Sequence, residues 1–272
     1  MEIRLLNNWA IELTDFDIKK ATKQDAQKIA EHVLENMVVV IRNQELSPTD
    51  ELRFCKFIGE VQNTQSDRVK DLTVENGILR VTGEKNQNNE EGLFGHTSAL
   101  DWHANQASNY ERKPLIWLYS VQGSEGSVTS WINNIESYKS LPEDLKEEIQ
   151  DIQITLGYKT GSYSSSTFFK EHHATDRPFN LVHTNKAGQT GLYFPFLQIF
   201  GMKEVEEDRF KYLLEKLKNH VLQNEFRYDH YWQDGDVVIS EQWLSVHKRW
   251  AFEDMNKRLL HRIAFDYSEI YG

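Results

Sequence analysis

The 272-residue chain has a formal net charge of −11, seven Trp, fourteen Phe and a single cysteine, Cys55. The acidic balance argues against a general nucleic-acid surface, which needs clustered Lys and Arg. One cysteine excludes a disulfide framework and a cysteine-based zinc site, and fits a reducing cytoplasm.

The opening stretch MEIRLLNNWAIELTD lacks the apolar core of a signal peptide, and no run of about 18 apolar residues occurs, so no membrane span is expected. No Pro/Gly/Ser-rich linker divides the chain, and the length suits one large domain over residues 1–272. The expectation is a cytoplasmic globular protein.

In chain order, Ile29, Val33 and Leu34 recur at helical spacing within Asp25–Asn36, with Thr22 as the cap. The β-branched run Met37–Arg42 predicts a buried strand. Ser47-Pro48-Thr49-Asp50 opens a second helix that ends near Gly59. Ile78–Val81 is a short strand, and the polar stretch Gly83–Gly92 is a loop, placed where a lid or a plain solvated connection would serve equally.

Leu115–Val121 and Val128–Trp131 are strands around the turn Gly123-Ser124-Glu125-Gly126. Pro142 starts a helix ahead of a strand over Ile152–Tyr158, and Gly161–Thr167 is a loop. Phe179–His183 and Thr190–Phe194 flank a hairpin turn, Asn185-Lys186-Ala187-Gly188. Glu204–Leu222 is the clearest amphipathic helix, with Phe210, Leu213, Leu214, Leu217 and Val221 on one face. Strands at Val237–Ser240 and Leu259–Tyr267 close the chain. Strands dominate the second half without βαβα alternation, so a β-barrel or sandwich with helices packed outside is the economical reading.

One stretch carries chemistry. In an extended Leu100–Asn105, His103 and Asn105 point to the same side. Facing the distant His247, they form a metal cradle of the kind in which two histidines and a carboxylate occupy one face of a non-haem Fe(II). Here the carboxylate position holds an amide. His172-His173 and His183 lack a partner pattern and receive no role, and Lys248 and Arg249 read as solvated rim charges.

Trp102-His103-Ala104-Asn105, Gly126-Ser127-Val128-Thr129, Gly235-Asp236, Glu241-Gln242 before His247, and Arg258-Leu259-Leu260-His261-Arg262 resemble, in order, the landmarks of the taurine dioxygenase family. Val39–Gln44 and Phe57–Glu60 are similar to its opening segment, so the resemblance spans most of the chain. It implies a double-stranded β-helix, or jelly roll, in a β-rich α+β chain with helices outside. It also implies an Fe(II)- and 2-oxoglutarate-dependent oxygenase that consumes molecular oxygen and releases succinate and CO2.

By the same resemblance His103, Asn105 and His247 are the metal positions, Thr129 and Arg258 face 2-oxoglutarate, and Arg262 takes an anionic group of a small-molecule substrate. A guanidinium grips a carboxylate bidentately, which suits both arginine roles.

Asn105 departs from the family's Asp or Glu. An amide offers Fe(II) only a neutral oxygen, so affinity falls. Three readings stay open: coordination through the amide oxygen with normal hydroxylation; withdrawal that leaves room for water or an anion, as in related halogenases with Ala or Gly; or a silent ligand-binding homologue. Asp101 is a weaker alternative source of the carboxylate.

Overall fold

A computed structural model describes residues 1–65, 72–84, 99–157, 177–255 and 257–271. Most of the expected Gly83–Gly92 loop, the whole Gly161–Thr167 loop and His172-His173 lie outside these residues.

The chain opens with β1 (Glu2–Leu5), β2 (Ile11–Thr14), α1 (Lys23–Asn36), β3 (Val38–Ile41) and α2 (Pro48–Ile58). Next come β4 (Thr73–Glu75), β5 (Ile78–Thr82), β6 (Leu100–His103), β7 (Leu115–Gln122) and β8 (Val128–Asn133). The middle holds α3 (Asn134–Lys139), α4 (Glu143–Ile149), β9 (Gln153–Leu156), β10 (Phe179–Asn180), β11 (Val182–Thr184), β12 (Thr190–Leu192) and β13 (Ile199–Met202). It closes with α5 (Glu207–Val221), β14 (Arg227–Tyr231), β15 (Val237–Glu241), β16 (Ser245–Arg249), β17 (Leu259–Phe265) and α6 (Ser268–Tyr271).

Both early helices begin where their caps predict. The Thr22 and Ser47 hydroxyls accept from the backbone N–H of Asp25 and Asp50, whose carboxylates accept in return from the cap N–H. Each reciprocal pair satisfies two donors that a helix start leaves without partners. Ala26, Ile29, Ala30, Val33 and Leu34 of α1 are buried against the outer face of the large sheet, together with Phe54 and Ile58 of α2.

Two sheets make the jelly roll. The larger has the order β1-β2-β3-β15-β7-β17-β5-β4, and the smaller β14-β8-β16-β6. Neighbours pair antiparallel except β2 with β3. Alternation along β17 assigns the faces: Ile263 and Phe265 pack under the helices, while Leu260 packs with Val81, Val238, Trp131 and Trp232 between the sheets.

A third apolar cluster joins α4 and α5 to the outer side of the smaller sheet through Leu145, Ile149, Leu213, Leu217, Ile132 and Val246. Phe210 and Leu214 lie at its edge, partly buried.

The hairpin is shorter than its sequence pattern implies. Only β11 and β12 pair across the turn, whereas Phe179 and Asn180 pair with β9 in a separate three-stranded sheet. The difference arises at Leu181, a buried residue whose N–H bonds to Ile152 while its carbonyl accepts from Tyr193.

Candidate active site

His103 ends β6 and His247 lies on β16, directly opposite in the antiparallel register. Their ring centroids are 4.2 Å apart. His103 Nδ1 lies 2.6 Å from the Asp101 carbonyl, which can only accept, so Nδ1 carries the proton and Nε2 the lone pair. A backbone bond of this kind is able to orient an imidazole towards a metal.

Burial pushes the His103 pKa down to about 4, assisted by Arg262 and Arg249. Burial, then His103 and Arg262, pushes His247 well below its usual value. Both imidazoles are therefore neutral at pH 7, the form a metal requires.

Asn105 is half-buried, with its carboxamide nitrogen 3.5 Å from His247 Nε2. A half-turn of the amide brings Oδ1 to the same place. Among the described residues no Asp or Glu joins the two histidines in a metal-binding group. Asp101 does not supply the carboxylate: it is directed outward, with Oδ1 accepting from the Trp102 N–H and pairing with Lys248 at 3.0 Å.

The cavity beside the histidines is lined by Asn105, Thr129, Arg249, Arg258 and Arg262, with Leu118 and Leu260 as apolar walls. Arg258 is 2% exposed, and among the described residues its Nε and Nη1 have no hydrogen-bond partner. A buried guanidinium with idle donors is costly unless an anion meets it. Burial, reinforced by Arg249, lowers its pKa to about 9, which leaves it charged at pH 7.

Gly123 makes the position of Arg258 possible. It sits at φ +66°, and a Cβ there would lie 2.1 Å from the Lys257 carbonyl oxygen, one residue before Arg258. Only glycine allows that approach.

All six predicted positions thus converge on one cavity. Arg249 is a correction. It is not a solvated rim charge but 5% exposed, with a guanidinium N–H on Met255 Sδ at 3.4 Å. Strand parity could have found it, because Arg249 follows His247 by two and shares its face, opposite Thr129 in the register. Lys248, on the other face, is tied to Asp101 and lies over the Trp250 ring. His183 stacks on Trp243 at 4.8 Å, away from the cavity lining.

Trp232, which no motif singled out, donates its indole N–H to Thr129 Oγ1 at 2.9 Å. Its ring stands edge-on to His230, a residue fully buried at 0% exposure.

The fold and the cavity define a jelly-roll oxygenase class, and the comparisons agree. The model of the taurine catabolism dioxygenase TauD, TfdA family matches residues 2–264. Pentalenolactone F synthase of Streptomyces avermitilis is 23% identical over 84% of this chain and 81% of its own length. The alpha-ketoglutarate-dependent 2,4-dichlorophenoxyacetate dioxygenase of Cupriavidus pinatubonensis is 21% identical over 93% of each chain. The crystal structure of AAD-2 in complex with Mn(II) and N-oxalylglycine superposes with a TM-score of 0.83 at 18% identity, covering 100% of this chain and 99% of that one.

The chain belongs to the TauD/TfdA family and is an Fe(II)- and 2-oxoglutarate-dependent dioxygenase.

Proposed function

We propose that this enzyme oxidises a C–H bond of a small anionic molecule. His103, His247 and the Asn105 oxygen hold the metal, Thr129 and Arg258 hold the distal carboxylate of 2-oxoglutarate, and Arg262 takes the anionic group of the substrate. The observation that carries the reading is Arg258, a buried guanidinium with two idle donors in the same cavity as two neutral imidazoles. Those groups fit the cofactors: lone-pair nitrogens for the metal, and a planar fork for a carboxylate.

Bound Fe(II) supplies oxygen activation coupled to decarboxylation of 2-oxoglutarate to succinate and CO2. The residues themselves bind, orient and exclude water. Asp101 fixes the His103 tautomer through its carbonyl. Arg258 and Thr129 set the depth of the cosubstrate. Leu118 and Leu260 shield the reacting space from solvent.

Arg262 is 7% exposed and lines the same cavity, which supports a carboxylate or sulfonate substrate. The relative named for 2,4-dichlorophenoxyacetate acts on a carboxylate.

The test is succinate formation from 2-oxoglutarate across a panel of small carboxylates and sulfonates. The expected result is turnover that needs both Fe(II) and oxygen and is raised by one substrate class. No iron-dependent succinate with any compound would reject the reading in favour of a silent ligand-binding homologue.

A second reading rests on Asn105 alone. A neutral ligand position leaves room for an anion at the metal, and halogenation follows if chloride occupies it. Product mass with and without chloride separates the two: a chloride-dependent mass change supports halogenation, and its absence supports hydroxylation.

A further inference from the structure

The Thr129 hydroxyl has one proton to give and two lone pairs. The Trp232 indole N–H can only donate, so at 2.9 Å the Thr129 oxygen is the acceptor of that bond. Both residues are buried, at 3% and 1% exposure. The hydroxyl proton must therefore go elsewhere. Among the described residues no group accepts it, and Thr129 borders the cavity that holds Arg258.

Trp232 is in turn braced from behind. Its ring stands edge-on to His230 at 4.6 Å. His230 Nε2 lies 3.0 Å from Asp236 Oδ2, an oxygen that also accepts from Arg42 Nη1 at 2.7 Å and from the Gln233 N–H at 3.0 Å. The next carboxylate, Asp234, accepts from the N–H groups of Gly123 and Ser124, each at 3.1 Å. The turn after Trp232 is thus clipped to the loop that leads into β8, the strand of Thr129. Donor and acceptor are held by one network of charge-assisted hydrogen bonds.

We propose that Trp232 is a positioning residue for the cosubstrate: its indole N–H turns the Thr129 hydroxyl so that the proton is donated to the distal carboxylate of 2-oxoglutarate, beside Arg258. The inference rests on the cosubstrate reading of Thr129 and Arg258. Trp232 does not line the cavity, whereas Thr129 does; it acts through Thr129, and a rigid supporting contact is what keeps such a donor aimed.

The test is calorimetry on the Zn(II)-loaded protein with two probes: 2-oxoglutarate, and oxalate, which can chelate the metal but has no distal carboxylate. Thr129→Val and Trp232→Phe should each weaken 2-oxoglutarate about three- to tenfold, the range of one net hydrogen bond. Oxalate affinity should stay unchanged. The double variant should be no weaker than Thr129→Val alone, because the two residues act in series.

Equal losses for both probes, full additivity, or unchanged 2-oxoglutarate affinity in Trp232→Phe would overturn the inference. If Thr129→Val itself leaves 2-oxoglutarate binding intact, the cosubstrate reading of Thr129 has failed instead. Should Trp232→Phe not fold, indole N–H resonances of the wild-type protein decide. The one of seven Trp signals that moves in Thr129→Val should also move when 2-oxoglutarate is added to the Zn(II) form. A signal that ignores 2-oxoglutarate would equally reject the proposal.

Discussion

His103 and His247 are separated by 144 positions in the chain yet face each other as register partners of β6 and β16, with ring centroids 4.2 Å apart. Strand pairing alone brings them together, and burial keeps both neutral. The metal reading follows from this pair. His103→Ala and His247→Ala should each abolish stoichiometric Fe(II) binding in an anaerobic titration. Equal affinity in both variants and wild type would leave a resemblance of fold alone.

Asn105→Asp should tighten Fe(II) by about tenfold or more. A unit charge beside a dication contributes more than about 1.4 kcal/mol at an effective dielectric near 20, and the two side chains differ little in shape. The same titration checks it, with chloride-dependent product mass as a companion measurement. If an anion occupies the metal position in the wild type, the new carboxylate should fill it and end any halogenation.

Arg258→Ala should weaken 2-oxoglutarate by roughly 10- to 150-fold, corresponding to about 1.5–3 kcal/mol for hydrogen bonds to a charged group. Arg258→Lys should recover little of this, since an ammonium cannot reproduce the planar fork. Calorimetry with the metal-loaded protein decides; unchanged affinity removes Arg258 from the cosubstrate site.

Gly123→Ala should destabilise the fold by about 2–4 kcal/mol, combining a positive φ with a backbone clash. The clash is with the Lys257 carbonyl oxygen, 2.1 Å from where the alanine Cβ would lie. Because Lys257 precedes Arg258, 2-oxoglutarate affinity should fall as well. Gly188→Ala is the control: it too has a positive φ, at +79°, but a Cβ there meets nothing within 4 Å. It should lower stability less and leave cosubstrate binding alone.

Glu241 makes stability depend on pH. Its carboxylate accepts from the Trp243 and Leu244 N–H groups at 2.9 and 2.7 Å, closing the turn into the His247 strand. Burial nevertheless pushes its pKa up to about 7, against about 4.3 in the unfolded chain. The folded state therefore binds the extra proton between these values. The stability this provides is full below about pH 4 and is lost as pH rises through 7. The difference between pH 5 and pH 8 should be roughly 2–3 kcal/mol from this residue.

The buried histidines, whose folded pKa values are lowered, act in the opposite sense below pH 6.5. The useful quantity is therefore the difference between wild type and Glu241→Gln. Urea unfolding at both pH values should show the wild type losing roughly 2–3 kcal/mol relative to Glu241→Gln between pH 5 and pH 8. A constant difference would mean Glu241 is ionised throughout.

What the chain announces by itself is local or ordered along it. The capping boxes at Thr22 and Ser47 are legible because cap and partner lie three residues apart and need no tertiary context. The cradle is legible because strand parity places His103 and Asn105 together, and because His247, Arg258 and Arg262 follow at family-like spacing. Other features escape a linear reading. β14 is a run of polar and aromatic residues, RYDHY, that forms a strand because Tyr228 and His230 find buried partners across the sheet. Arg249 looks like a surface charge until β6, β8 and the segment around Met255 cover it. Trp232 meets Thr129 across 103 positions. Parity, caps and residue order are properties of neighbours on the chain. Burial and the direction of a hydrogen bond depend on which distant segments close over a side chain, and only the assembled sheets decide that.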